Sequence, residues 1–157
     1  MVVDQDFVLA VPDGVGLDVA APLLCAGMTQ YSRLKHWGAG PGTRVAIVGL
    51  GGLGHLGVKL AQAMGAEVTV LSQTLAKKDD GLKLGADQFF AASDDQAFID
   101  LANSFDLIVN TVSATLPMDK YLSLLRLNGT MVNVGAPADP MSVPVFSLLS
   151  QRRSWAG

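Results

Sequence analysis

The chain is 157 residues long, 50% hydrophobic and only 16% charged, with a formal net charge of -3 and a mean hydropathy of +0.37. That length favours one compact domain with a full core, and the acidic balance, with no basic cluster beyond Lys77-Lys78 or Arg152-Arg153, argues against a nucleic-acid surface. Apolar stretches break well short of the ~18–20 residues a membrane span needs, nothing at the N-terminus reads as a signal peptide, and a single cysteine excludes an internal disulfide framework and fits a reducing, cytoplasmic setting.

Residues 7–11 are predicted as a short strand that ends in the turn Pro12-Asp13-Gly14. Asp18 is the predicted N-cap of a helical turn holding Val19, Ala20 and Ala21; Pro22 and Gly27 interrupt it before a longer helix over 28–37. After a glycine-rich turn, the run 44–48 reads as a buried strand. It ends directly in Gly49, Gly51 and Gly54, spaced G-x-G-x-x-G, and a helix follows without a break. The apolar stripe of that helix is Leu53, Leu56, Val58, Leu60, Ala61 and Met64, and Gly65 is placed to close it. Strands at 68–72, 88–91, 105–110, 130–134 and 153–157 then alternate with helices at 76–84, 95–102, 118–127 and 144–149.

Such alternation gives an α/β fold, a doubly wound parallel six-stranded sheet of the Rossmann type, with its ligand across the carboxyl ends of the strands. In that frame each glycine has a physical task. Gly49 permits the tight turn, Gly51 lets a pyrophosphate approach the backbone, and Gly54 lets helix and strand pack closely. The open amides at the helix start, with Gly52 and Leu53 in its first turn, and the positive end of the helix dipole favour an anion there. The chain stops inside the sixth strand and the strand before Pro12 lacks a partner, so both ends are expected to be cut from something larger.

The residues after the second strand choose between two dinucleotides. NAD is marked by an acid about 20 residues beyond the glycine turn, bonded to the ribose 2′-hydroxyl. Here that strand ends in Ser72-Gln73-Thr74, with Lys77 close behind; Glu67 lies at the strand's opposite end, and Asp79 and Asp80 sit in the next helix. Small hydroxyl donors and a lysine suit a 2′-phosphate that a carboxylate would repel, so NADP(H) is the expected cofactor.

Together, Ala20-Ala-Pro-Leu-Leu-Cys25-Ala-Gly-Met-Thr29-Gln-Tyr31, the turn Gly49 to His55 and Ser72 with Lys77-Lys78 resemble the zinc-dependent medium-chain alcohol dehydrogenases, most of all their cinnamyl-alcohol-dehydrogenase branch. Read alone, a cysteine among Leu, Ala and Gly is a small buried residue. The resemblance implies instead that Cys25 is a ligand of a catalytic Zn2+, with further ligands from a separate catalytic domain. It also implies that Thr29, Thr111, Val112, Val134 and Gly135 line the nicotinamide pocket; the last four follow the fourth and fifth strands at their carboxyl ends, which supports this independently. Neither His36 nor His55 belongs to a metal motif, and the family's remaining ligands and proton-relay residues are not found in this sequence.

The resemblance thus implies residues 1–16 as a remnant of the catalytic domain and 17–157 as the dinucleotide-binding domain, truncated in its last strand. The whole enzyme would move hydride between NADPH and a primary, aromatic or allylic, alcohol or aldehyde, with this piece inactive alone and holding no catalytic residue besides the zinc ligand. A homodimer through the sixth strand is expected, with no nucleic acid or membrane partner. Two other readings stay open at this point. One is a zinc-free quinone or enoyl reductase of the same superfamily, the other a nucleotide-sensing module without chemistry.

Overall fold

The structure, a computed structural model, describes residues 2–157. Met1, the first residue of the expected 1–16 remnant, lies outside them. In chain order the elements are α1 (Leu17–Pro22), a π-helical segment (Leu23–Gly27), α2 (Met28–His36), β1 (Arg44–Val48), α3 (Gly52–Ala63), β2 (Glu67–Ser72), α4 (Lys78–Lys83), β3 (Gln88–Ala91), α5 (Asp95–Asp100), β4 (Phe105–Asn110), α6 (Met118–Ser123), β5 (Leu125–Asn133), α7 (Val145–Leu149) and β6 (Ser154–Ala156).

Consecutive side chains of a strand point to opposite faces, so a strand covered on both sides must be apolar throughout. β1 meets that demand: Val45 and Ile47 pack beneath α2 and α3 with Leu34, Val58 and Ala61, while Ala46 and Val48 face Phe98, Tyr121 and Leu122. All the strands run parallel in the order β3-β2-β1-β4-β5-β6. The chain builds outward from β1 to β3, then crosses back to β4 on the other side of β1. That reversal opens a crevice at the carboxyl ends of β1 and β4, where doubly wound sheets take their ligands.

Several local expectations are corrected. Residues 7–11 form no strand; a 3-10 turn at Gln5–Phe7 is capped by Asp4, and residues 8–11 are exposed with no strand partner among the described residues. The N-cap of α1 is Gly16, and Asp18 falls in the first turn, where its charge suits the helix dipole. Pro22 and Gly27 do not break the run. Pro22 closes α1 at the cost of one helical amide, and residues Leu23–Gly27 continue in a wider turn, with the Met28 amide reaching back to the Leu23 carbonyl. The helix expected over 76–84 divides into a 3-10 turn, Leu75–Lys77, and α4, and the one expected to reach 102 ends at Asp100. The helix expected over 118–127 ends at Ser123, because buried Leu125 pairs with Phe105 and starts β5 early. An irregular stretch with Asn128 at φ 63° then separates that pair from the next, Leu107 with Thr130. β6 is shorter than expected by a residue at each end.

A candidate cofactor site at the carboxyl edge of the sheet

β1 leaves the core into a turn that only glycine can make. Gly49 holds φ at 88°, donates its amide to the Leu71 carbonyl at 2.8 Å, and would bring any Cβ to 2.7 Å from Val112 Cγ2. Gly54, one turn into α3, faces the Gly49 carbonyl so closely that no side chain fits between them. Gly51 and Gly52 differ: a Cβ on either would meet nothing within 4 Å. No side chain caps α3, whose N-cap is Gly51, so the first-turn amides face an open space. Leu53 is half-buried there, and His55 is half-buried with Nδ1 3.3 Å from the Gly51 carbonyl.

The ends of β4 and β5 form the facing wall. Thr111 Oγ1 donates to the Val48 carbonyl at 2.8 Å and approaches that of Gly49 at 3.3 Å, tying β4 to the glycine turn. The Val112 amide donates to Asn110 Oδ1, and the amides of Val134 and Gly135 both donate to the Asn110 carbonyl. Gly135 lies so close to the Val112 carbonyl that a side chain there would collide with it.

Beyond β2, Ser72 is half-buried and Gln73, Thr74 and Lys77 are exposed. Thr74 Oγ1 accepts from the Ala76 amide, and Lys77 Nζ reaches back over the turn to the Leu50 carbonyl at 3.0 Å. None of Ser72, Gln73 and Thr74 is acidic, and the one acid of the strand, Glu67, lies at its other end and pairs with Arg44 at 3.3 Å. A cavity of about 380 Å³ lies beside the turn, walled by Gly49, Leu71, Gln73, Val112, Pro117 and Tyr121. Burial pushes the Tyr121 phenol above its ordinary value. A larger cavity, about 580 Å³, lies between the amino ends of the strands around Arg44, Glu67, Asp87 and Arg126, away from the glycine turn.

The expected site residues fall into three groups, of which Ser72, Gln73 and Thr74 at the end of β2 are one. The glycine turn, Lys77, Thr111, Val112, Val134 and Gly135 gather along one edge through direct bonds and close approaches. Thr29, half-buried in the first turn of α2, and Cys25, in the π-helical segment, have no side-chain bond to that edge among the described residues. Cys25 is exposed, against the reading of a lone cysteine as a buried small residue. Among the described residues no group of three or more His, Cys, Asp or Glu could hold a metal ion, so the residues present do not by themselves fit a zinc, which takes at least three protein ligands. His36 is exposed against Trp37, ring centroids 5.0 Å apart. No helix among the described residues is long and apolar enough to cross a membrane.

Asn110 and Asn133, which bond to each other at this same edge, are not among the expected site residues. The available signal is positional: each closes an apolar strand run at the carboxyl edge of the sheet, where the amide of a buried or half-buried side chain needs partners.

A family model described as zinc-binding dehydrogenase matches residues 52–157. The NADP-dependent alcohol dehydrogenase C 1 of Mycolicibacterium smegmatis is 60% identical over all 157 residues, which span 45% of that protein. A cinnamyl alcohol dehydrogenase of Sorghum bicolor superimposes with a TM-score of 0.94 at 45% identity, covering 99% of this chain and 44% of that one. The CAD of Helicobacter pylori, solved in complex with NADP(H), gives 0.88 at 35% identity, covering 98% and 44%. The chain thus spans less than half the length of these relatives.

Proposed function

Because the chain belongs to the zinc-binding dehydrogenase family, we propose that it is the NADP(H)-binding part of an alcohol dehydrogenase, with residues 17–157 forming the cofactor domain and 1–16 leading in from a catalytic domain. The whole protein would interconvert a primary, aromatic or allylic, alcohol and its aldehyde, and NADP(H), when bound, supplies or accepts the hydride. The observation that carries this reading is the end of β2: Ser72, Gln73 and Thr74, none of them acidic, are followed by Lys77, which reaches back over the open glycine turn.

In this reading Gly49, Gly51, Gly52, Leu53 and Gly54 present the backbone and the α3 dipole to the pyrophosphate. Ser72, Gln73, Thr74 and Lys77 take the 2′-phosphate, the hydroxyls and amide as directional donors and the lysine as a positive charge. Thr29, Thr111, Val112, Val134 and Gly135 line the space for the nicotinamide and orient its ring. The relatives' names, which specify NADP, support the choice of cofactor.

Zinc belongs to the proposal for the whole protein. Cys25, a free thiol, would be one ligand and residues outside this sequence the others, so the chain alone would carry no turnover. The free edge of β6 is the proposed homodimer contact, and a reducing, cytoplasmic setting suits a free exposed thiol.

The test is a cofactor-preference switch. The double variant Ser72→Asp, Lys77→Ala, titrated with NADPH and NADH, is expected to lower the NADPH-to-NADH affinity ratio by more than about tenfold, since it removes a charge-assisted partner and adds a repelling one. An unchanged ratio overturns the assignment.

A further inference from the structure

Asn110 ends β4 with no exposed surface. A fully buried amide is costly unless its polar atoms are paired, and an apolar side chain of similar volume would fill the space without that demand. Its pairing is therefore informative. Oδ1 accepts the Val112 amide at 3.0 Å, and Nδ2 donates to Asn133 Oδ1 at 3.2 Å, at the end of β5. The Asn110 carbonyl accepts the amides of Val134 at 2.9 Å and Gly135 at 3.0 Å. Asn133 Oδ1 also receives the Trp155 indole Nε1 at 3.5 Å, from β6. The Asn110 side chain thus fixes the Thr111–Val112 peptide in the loop after β4 and bridges to Asn133 at the end of β5, while its backbone carbonyl, which any residue there would offer, takes the first amides after β5.

We propose that Asn110 is a positioning residue for the nicotinamide half of the cofactor, acting through Asn133, Val112 and Gly135; this rests on the reading of the sheet edge as an NADP(H) site. Backbone crowding makes the arrangement sensitive. Gly135 touches the Val112 carbonyl with no room for a side chain, so a shift of the Val112 peptide must move Gly135 as well. The adenosine half is held elsewhere, by the end of β2, whose Ser72, Thr74 and Lys77 make no bond to Asn110 among the described residues.

The test compares two ligands on the 157-residue chain: NADPH, and adenosine 2′,5′-bisphosphate, which lacks the nicotinamide half. Asn110→Leu is expected to weaken NADPH by about tenfold while changing the bisphosphate by less than about twofold, the scale of losing hydrogen bonds that order a binding loop. Asn133→Ala, at a half-buried position, keeps the test open where Asn110→Leu melts without cooperativity, and is expected to act in the same direction with a smaller loss. Equal losses for both ligands mean a merely structural role and overturn the proposal, as do variants that bind NADPH like the unaltered chain. Failure of the unaltered chain to bind either ligand would instead overturn the cofactor reading, and this one with it.

Discussion

Gln30 sits on the inner face of α2 with no exposed surface, and neither its Nε2 nor its Oε1 has a hydrogen-bond partner among the described residues. Its neighbours are the apolar Ile47 and Gly57, whose lack of a side chain makes the room: a Cβ on Gly57 would stand 2.9 Å from the glutamine oxygen. An unpaired buried amide costs about 1–3 kcal/mol. Gln30→Leu is therefore expected to stabilise the chain by about that amount, measured as a shift in the urea midpoint at constant slope. A lower midpoint would show that the amide is satisfied in solution. Nothing in the sequence marked this position, because a glutamine between Thr29 and Tyr31 reads as an ordinary exposed helix residue. Lys77 and Thr111 stand out in the sequence as members of a pattern with a stated chemistry, and the structure brings both onto the glycine turn. Asn110 does not stand out, because its role depends on Asn133, brought beside it by pairing of β4 with β5.

The glycine turn separates folding from binding within one element. A side chain on Gly54 must displace the Gly49 carbonyl, whereas one on Gly52 enters open space. Gly54→Ala is expected to cost several kcal/mol, about the range for overpacking and backbone strain, and Gly52→Ala to leave the melting curve nearly unchanged while weakening NADPH. The checks are thermal melts and cofactor titration on both variants; a Gly52→Ala protein with full NADPH affinity would mean that the open space does not receive the phosphates. Legibility at this scale tracked the range of the deciding interaction. The bounds of β3 and β4 and the glycine stop after α3 follow from local pattern. The leucines at 124, 125 and 127 also carry a helical pattern, yet long-range pairing with Phe105 draws Leu125 into β5. Residues 7–11 have the apolar content of a strand, but composition says nothing about whether a sheet edge is there to receive it.

For the molecule as a whole, alternation of strand and helix was enough to specify the parallel sheet and its reversal between β1 and β4, because right-handed crossovers leave few other arrangements. The cofactor reading depends on what does not stand after β2 as much as on what does, and both were visible in the sequence. Exposed apolar side chains along α1, the π-helical segment and α2, including Leu17, Leu23, Leu24, Met28 and Tyr31, fit a chain that spans less than half of its relatives' length. Cys25 is exposed in the same π-helical segment as Leu23 and Leu24. An NADP(H) site at the carboxyl edge of the sheet is the proposal on which the others rest. Equilibrium titration of the unaltered chain with NADPH and NADH, followed by calorimetry, tests it most directly. The chain is expected to bind NADPH at one site at least about tenfold more tightly than NADH, a difference near 1.4 kcal/mol. Equal affinities, tighter NADH, or no binding of either would contradict it.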